Sequence, residues 1–300
     1  MPPYDDTPRM STIRERTVTT SDGVALHVVE AGDPAAPPLL LVHGFAGSHR
    51  VWERQLADPE LTGRYRVVTF DLRGHGTSQT ELGDEQLVAA DMDGHARLWS
   101  RDVDAVRAGL AEPVIVGWSF GGAVTQSHIH AHGGIGDAAA VVLLSAPPVL
   151  GPVAEGDVAA GIVPRDAIGA LVATATGDTG PFKARVLARG EGDDGYDEAD
   201  LALLEEAADQ CPPEVRSAML GYAYDFRPSL AALPTSERDR MTVLVAEHDL
   251  IFSAPVMETC WEQAAIRTVA VPGEGHALAM RDPDRFRELL LEAATPARAG

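Results

Sequence analysis

Three residue types able to do chemistry stand out: a serine at the mouth of a helix, a late histidine and a carboxylate ahead of it. Residues 114–122 read VIVGWSFGG, so Gly117, Ser119 and Gly121 form G-x-S-x-G. An apolar run precedes the motif and a helical pattern follows it, the strand–turn–helix setting that it requires. Glycines two positions either side of Ser119 leave room for close-packed backbone, and the sharp turn lifts the hydroxyl clear of a sheet. The amide N–H of Phe120 opens the helix and points at incoming negative charge. A serine hydroxyl is a weak nucleophile until a base takes its proton. Residues 273–280 read GEGHALAM just past a late apolar run, which makes His276 the candidate base. An imidazole in that role needs a carboxylate to hold its tautomer and stabilise its cation. Asp249, within VLVAEHDLIF, is the candidate, with room for one helix and one strand before His276. Glu247 and Asp282 compete with it.

The developing oxyanion calls for a second donor beside Phe120. Residues 39–47 read LLLVHGFAG, a strand ending in His-Gly, and the next amide N–H belongs to Phe45. One such donor contributes about 3 kcal/mol of transition-state stabilisation. His43 could itself act as a base, but its place fits a role in shaping the turn. Trp118, Leu250 and Phe252 flank the catalytic turns and are expected to line an apolar substrate pocket; core packing competes for the same residues. His128 and His132, within SHIHAH, are four apart and could share a helix face. With no carboxylate at helical spacing and no H-E-x-x-H, they read as packing or surface histidines, and no metal site is expected.

Short apolar, β-branched runs must carry these groups. They fall at Thr17–Thr20, Ala25–Glu30, Leu39–Val42, Tyr65–Phe70, Val114–Gly117, Ala139–Leu144, Met241–Ala246 and Arg267–Val271. The later runs are nearly continuous in Val, Ile and Leu, as strands buried on both faces must be. Amphipathic helical patterns lie between them, at 84–110, 120–132, 254–265 and 282–293. The alternation predicts a mostly parallel, eight-stranded sheet flanked by helices. One interval breaks it. About 85 residues after the sixth strand hold no convincing buried strand, too many for a loop. Helical pieces near 164–175, 181–190, 198–209 and 213–224 suggest a lid over the carboxyl edge of the sheet. The expected division is a core of 1–146 and 234–300 with a helical lid of 147–233.

The chain has 300 residues, 45 acidic against 24 basic, for a formal charge of −21. Such a surface repels phosphate backbones and anionic lipid heads, so neither nucleic acid nor membrane is an expected partner. Lys183 is the one lysine; every other basic residue is arginine. Cys211 and Cys260 read as ordinary reduced thiols, and the first residues hold no secretory pattern, so a cytoplasmic location is expected.

The order HGFAG, DLRGHGTS at 71–78, GWSFGG, EHD and GEGH resembles the α/β-hydrolase superfamily, and within it lidded serine esterases and cofactor-free haloperoxidases. The likeness covers about residues 17–293, the lid matching in position and length only. It implies the α/β-hydrolase fold, a triad at Ser119, Asp249 and His276, and oxyanion donors at Phe45 and Phe120. Asp71, Arg73 and His75 match a signature that braces the turn after the fourth strand. Relatives that open epoxides or remove halides carry Asp at the nucleophile position, where this chain has Ser119. The expected activity is hydrolysis of an ester or lactone of a small to medium apolar substrate through an acyl-enzyme, with no metal or organic cofactor. The alternatives are haloperoxidase or perhydrolase chemistry, carbon–carbon bond hydrolysis on the same triad, and a non-catalytic ligand-binding protein on this frame.

Overall fold

The computed structural model describes residues 12–193 and 195–295. Among the described residues ten strands are present: β1 (Arg14–Thr19), β2 (Ala25–Ala31), β3 (Pro38–Val42), β4 (Arg66–Phe70), β5 (Val114–Trp118), β6 (Ala140–Leu144), β7 (Val149–Leu150), β8 (Tyr224–Asp225), β9 (Met241–Ala246) and β10 (Arg267–Val271). Eight of them form one sheet in the order β1-β2-β4-β3-β5-β6-β9-β10. β1 and β2 pair antiparallel and the remainder run parallel from β4 onward. Every residue of β3, β5, β6 and β9 is buried, because helices cover both faces of a parallel sheet.

Helices Met92–Arg107 and Phe120–His132 link β4 to β5 and β5 to β6, and they pack on each other. The first starts where the Asp91 carboxylate accepts the Gly94 N–H at 2.7 Å; the second stops at Gly133, whose φ of 68° suits a residue without a side chain. Helices Ala254–Gln263 and Pro283–Ala293 complete the wrapping. Two short helices, Glu53–Ala57 and Pro59–Arg64, have no counterpart in the sequence reading. They are too short to show a period.

After β3 the chain steps to β4 on one side, then crosses back to β5 on the other. The carboxyl ends of β3 and β5 therefore meet at a switch point, the place where open α/β sheets bind ligands. Above that edge lies the insert between β6 and β9. It holds helices Arg165–Ala175, Gly180–Leu187, Glu198–Asp209 and Pro213–Leu220. Its base is a two-stranded ribbon, β7 against β8, pairing Val149 with Asp225 and Leu150 with Tyr224. The sequence reading placed no strand there, since two residues are too few to show alternation. Asp200 is buried and its Oδ1 accepts Arg54 Nη2 at 2.8 Å. No helix among the described residues is long and apolar enough to cross a membrane.

Candidate active site

Ser119 directly follows β5, and its own N–H is held by the Leu144 carbonyl of β6 at 2.9 Å. Its φ of 54° and ψ of −121° lie where L-residues rarely sit. The glycines around it leave no alternative. A Cβ on Gly121 would come 2.3 Å from the Val42 carbonyl oxygen, and one on Gly117 would come 2.6 Å from the Thr125 hydroxyl. On Gly44 a Cβ would stand 3.1 Å from the Ser119 Cβ, so the loop after β3 presses directly against the serine turn. The amides of Phe45 and Phe120 take no protein partner among the described residues. Both residues border the same cavity as Ser119.

His276 lies on the loop after β10, nearly sealed from solvent. Its Nδ1 donates to Asp249 Oδ2 at 2.8 Å, which leaves Nε2 as the basic nitrogen. The other Asp249 oxygen accepts the N–H groups of Ile251 and Phe252 at 2.8 and 3.0 Å. The competing acids are engaged elsewhere. Glu247 is exposed and accepts the Gly273 N–H, while Asp282 caps the last helix through the Arg285 N–H. The imidazole is flanked by Trp118 and Phe252, with ring centroids 5.7 and 5.6 Å away. Trp118 also donates its indole N–H to the His276 carbonyl at 2.8 Å, tying the histidine loop to the serine turn. Sequence reasoning treated Trp118 as pocket wall and missed this tether, for which no local signal exists. Ser119 and His276 line one small pocket. Their side chains are not hydrogen-bonded to each other here, and such contacts commonly tighten only when substrate binds.

Two cavities meet at Ser119, Phe45 and Phe182. The small one, about 20 Å³, has room for roughly one water. The large one, about 400 Å³, is apolar and runs beneath the insert. Phe252 lines it as expected. Leu250 lines neither cavity; Ile251, one residue on, takes that place, because the turn after Asp249 sets which side chain faces the insert. Phe182, from the insert, stands edge-on to Phe45 at 5.4 Å.

Behind the site, His43 Nε2 accepts the Leu72 N–H at 3.0 Å, and His43 Nδ1 is 2.8 Å from the Gly44 carbonyl. Burial pushes this imidazole down to about 4, so it stays neutral and its lone pair is spent on the turn. Burial and the neighbouring His43 push His75 down to about 3. Asp71 is fully buried and accepts the N–H groups of His49 and Thr77 at 2.6 and 2.9 Å. The Arg73 guanidinium meets Asp102 at 2.7 Å and Asp22 at 2.8 Å. These residues brace the turn after β4.

Two side-chain groups among the described residues have metal-ligand composition: His27, His49 and Asp71, and Asp104, His128 and His132. The carboxylate that the 128–132 pair lacks in its own helix comes from the neighbouring one. Neither group suits an ion. Asp71 is already occupied by backbone donors and both imidazoles. Arg107 Nη1 approaches His128 Nε2 at 2.6 Å; a guanidinium only donates, so Nε2 accepts and Nδ1, the atom facing Asp104, carries the proton.

A model of the alpha/beta hydrolase family matches residues 39–289, and the chain belongs to that family. An esterase from Rhodococcus sp. ECU1013 superposes with a TM-score of 0.75 at 25% identity, covering 94% of this chain and 99% of that one. A non-heme haloperoxidase from Rhodococcus erythropolis is 35% identical over 135 residues, 44% of this chain and 45% of that protein. Epoxide hydrolase A of Mycobacterium tuberculosis is 37% identical over 137 residues, 44% of this chain and 38% of that protein. The curated relatives are matched over 10% to 46% of their own lengths, so the chain spans less than half of each.

Proposed function

We propose that this protein is a serine hydrolase that cleaves an ester or lactone with a small to medium apolar portion, through Ser119, His276 and Asp249. The observation that carries the reading is the pairing of a strained serine at a helix N-terminus with a buried, Asp249-anchored imidazole on one small pocket. His276 Nε2 takes the Ser119 proton as the hydroxyl attacks the substrate carbonyl. The oxyanion is received by the Phe45 and Phe120 amides. His276 then protonates the leaving alcohol, and water repeats the cycle on the acyl-enzyme. The apolar cavity takes the hydrophobic part of the substrate, and the insert of 147–233 acts as a lid that excludes water from it. No step calls for a metal or organic cofactor.

A fluorophosphonate probe is expected to label one peptide, the one containing Ser119. Ser119→Ala and His276→Ala are each expected to abolish turnover of an activated aryl ester. Full turnover by either variant overturns the reading. The likeness to the haloperoxidase supports a second one: the same triad forming a peracid from peroxide and a carboxylic acid. Bromination that depends on added carboxylic acid would distinguish it. Epoxide opening through an alkyl ester would need a carboxylate where Ser119 stands.

A further inference from the structure

The two cavities that meet at Ser119 differ in which catalytic group borders them. His276 lines the small one and not the large one, whereas Phe120 lines the large one and not the small one. The leaving alcohol of an alkyl ester must take a proton from the histidine as it departs, so its oxygen has to lie on the His276 side of the serine. The acyl chain then points the other way, into the large cavity. Size and polarity differ between the two sides as well. The histidine side holds about 20 Å³, room for roughly one water, and Phe45, Trp118 and Phe182 border it. The other side offers about 400 Å³. Among the described residues, Ser119 and Tyr224 supply the only polar side chains on the large cavity, and the Tyr224 hydroxyl is directed to the Pro147 carbonyl at 3.4 Å. Nothing there would receive a charged group. Ile168 and Val172, one turn apart on helix Arg165–Ala175, border this cavity and are 47% and 59% exposed, so it opens to solvent beside two apolar side chains.

We propose that the substrate joins an uncharged, medium-length acyl chain to a small alcohol such as methanol, with the chain in the large cavity and the alcohol on the His276 side. This rests on the serine-hydrolase reading above and names its substrate class. The reverse ester, a short acyl group on a long alcohol, is a poor substrate by the same geometry. With its alkyl chain in the large cavity, its leaving oxygen lies away from His276, and an alkoxide does not depart without a proton. An activated aryl ester escapes this limit, because a phenolate leaves unprotonated and its ring can occupy the large cavity.

Two measurements test it, both by titration of the acid released. The first uses the wild type and a pair of isomers, methyl octanoate and heptyl acetate, which share one formula and differ in which side of the ester carries the chain. The kcat/KM for methyl octanoate is expected to be tenfold or more the higher, a factor that about two buried methylenes account for. The second narrows the large cavity. Leu171, half-buried on helix Arg165–Ala175, lines that cavity and not the small one. Leu171→Trp should lower the ratio of kcat/KM for methyl octanoate to that for methyl acetate at least tenfold. Equal rates for the isomers, a preference for heptyl acetate, or an unchanged acyl-length ratio in a folded Leu171→Trp protein overturns the inference alone. So does cleavage of an activated aryl ester with neither isomer touched. No cleavage of any of these esters, or cleavage that survives Ser119→Ala, overturns the serine-hydrolase reading instead.

Discussion

Ser119 occupies a backbone conformation that costs of order 1–3 kcal/mol, and such strain persists only where its surroundings over-determine it. Here they do. The Leu144 carbonyl holds its N–H, and Gly117 and Gly121 sit where any Cβ would strike Thr125 or the end of β3. The histidine is equally constrained, by Asp249 at Nδ1 and by Trp118 at its carbonyl. Asp249 accepts two backbone N–H groups through its other oxygen, so its job in the proposed mechanism is orientation. Asp249→Asn would preserve the loop but disturb the tautomer, and kcat is expected to fall on the order of 10⁴-fold with little change in KM. Steady-state kinetics on an activated ester, with Glu247→Gln as the control that loses nothing, decides it. The motif and the late histidine were legible in the order of residues. The sequence favoured Asp249 without excluding Glu247 and Asp282, because the three acids differ only in where their loops aim them; the structure pairs Asp249 with the histidine.

The turn after β4 is the element that supports the loop after β3, and it does so with groups that dislike acid. His43 accepts the Leu72 N–H and its ring lies 5.1 Å from that of His75. Burial holds His43 and His75 neutral in the native state until about pH 4 and pH 3, against about 6.5 for a solvated imidazole. Between those values the unfolded chain binds more protons than the native one, so stability falls as pH drops below about 6.5. At pH 5 each of the two should lower the unfolding free energy by about 2 kcal/mol relative to neutrality. Urea titrations at pH 7 and pH 5 should show this loss, and His75→Asn, which keeps a donor for the Arg73 carbonyl, should remove about half of it. A pH-independent midpoint would show that these imidazoles are charged in the native state. The sequence reading had His43 as structural from its place at the strand end and His75 from the family signature; their burial and neutrality follow from packing that no local pattern reveals.

At the scale of the molecule, the insert and the core are joined around the site. Phe182 meets Phe45, Asp200 pairs with Arg54, and Arg50 pairs with Glu206. The tightest point is Gly275, immediately before the histidine. A Cβ there would lie 2.0 Å from the Ala188 carbonyl oxygen of the insert. Gly275→Ala must therefore push the insert away from the histidine loop. We expect kcat for an activated ester to drop tenfold or more and the insert to be cleaved faster in limited proteolysis, with the far-UV circular dichroism of the core retained. Unchanged kinetics and proteolysis would mean that the two parts move independently.

The order of residues alone established the eight-stranded sheet, the serine turn and the approximate helices of the insert. It could do so because a strand buried on both faces must be apolar throughout, and a strained turn needs glycine at fixed offsets. Tertiary structure decided the rest. The β7–β8 ribbon joins residues far apart in the chain through two pairs too short to leave a pattern. Ile251 rather than Leu250 faces the large cavity, and Asp104 reaches His128 and His132 from a neighbouring helix. Lys183 is largely covered and lines a pocket together with the serine, although lysine is ordinarily a surface residue. Each outcome depends on which faces meet once the insert folds back over the sheet, and that contact is made between residues with no local relation to one another.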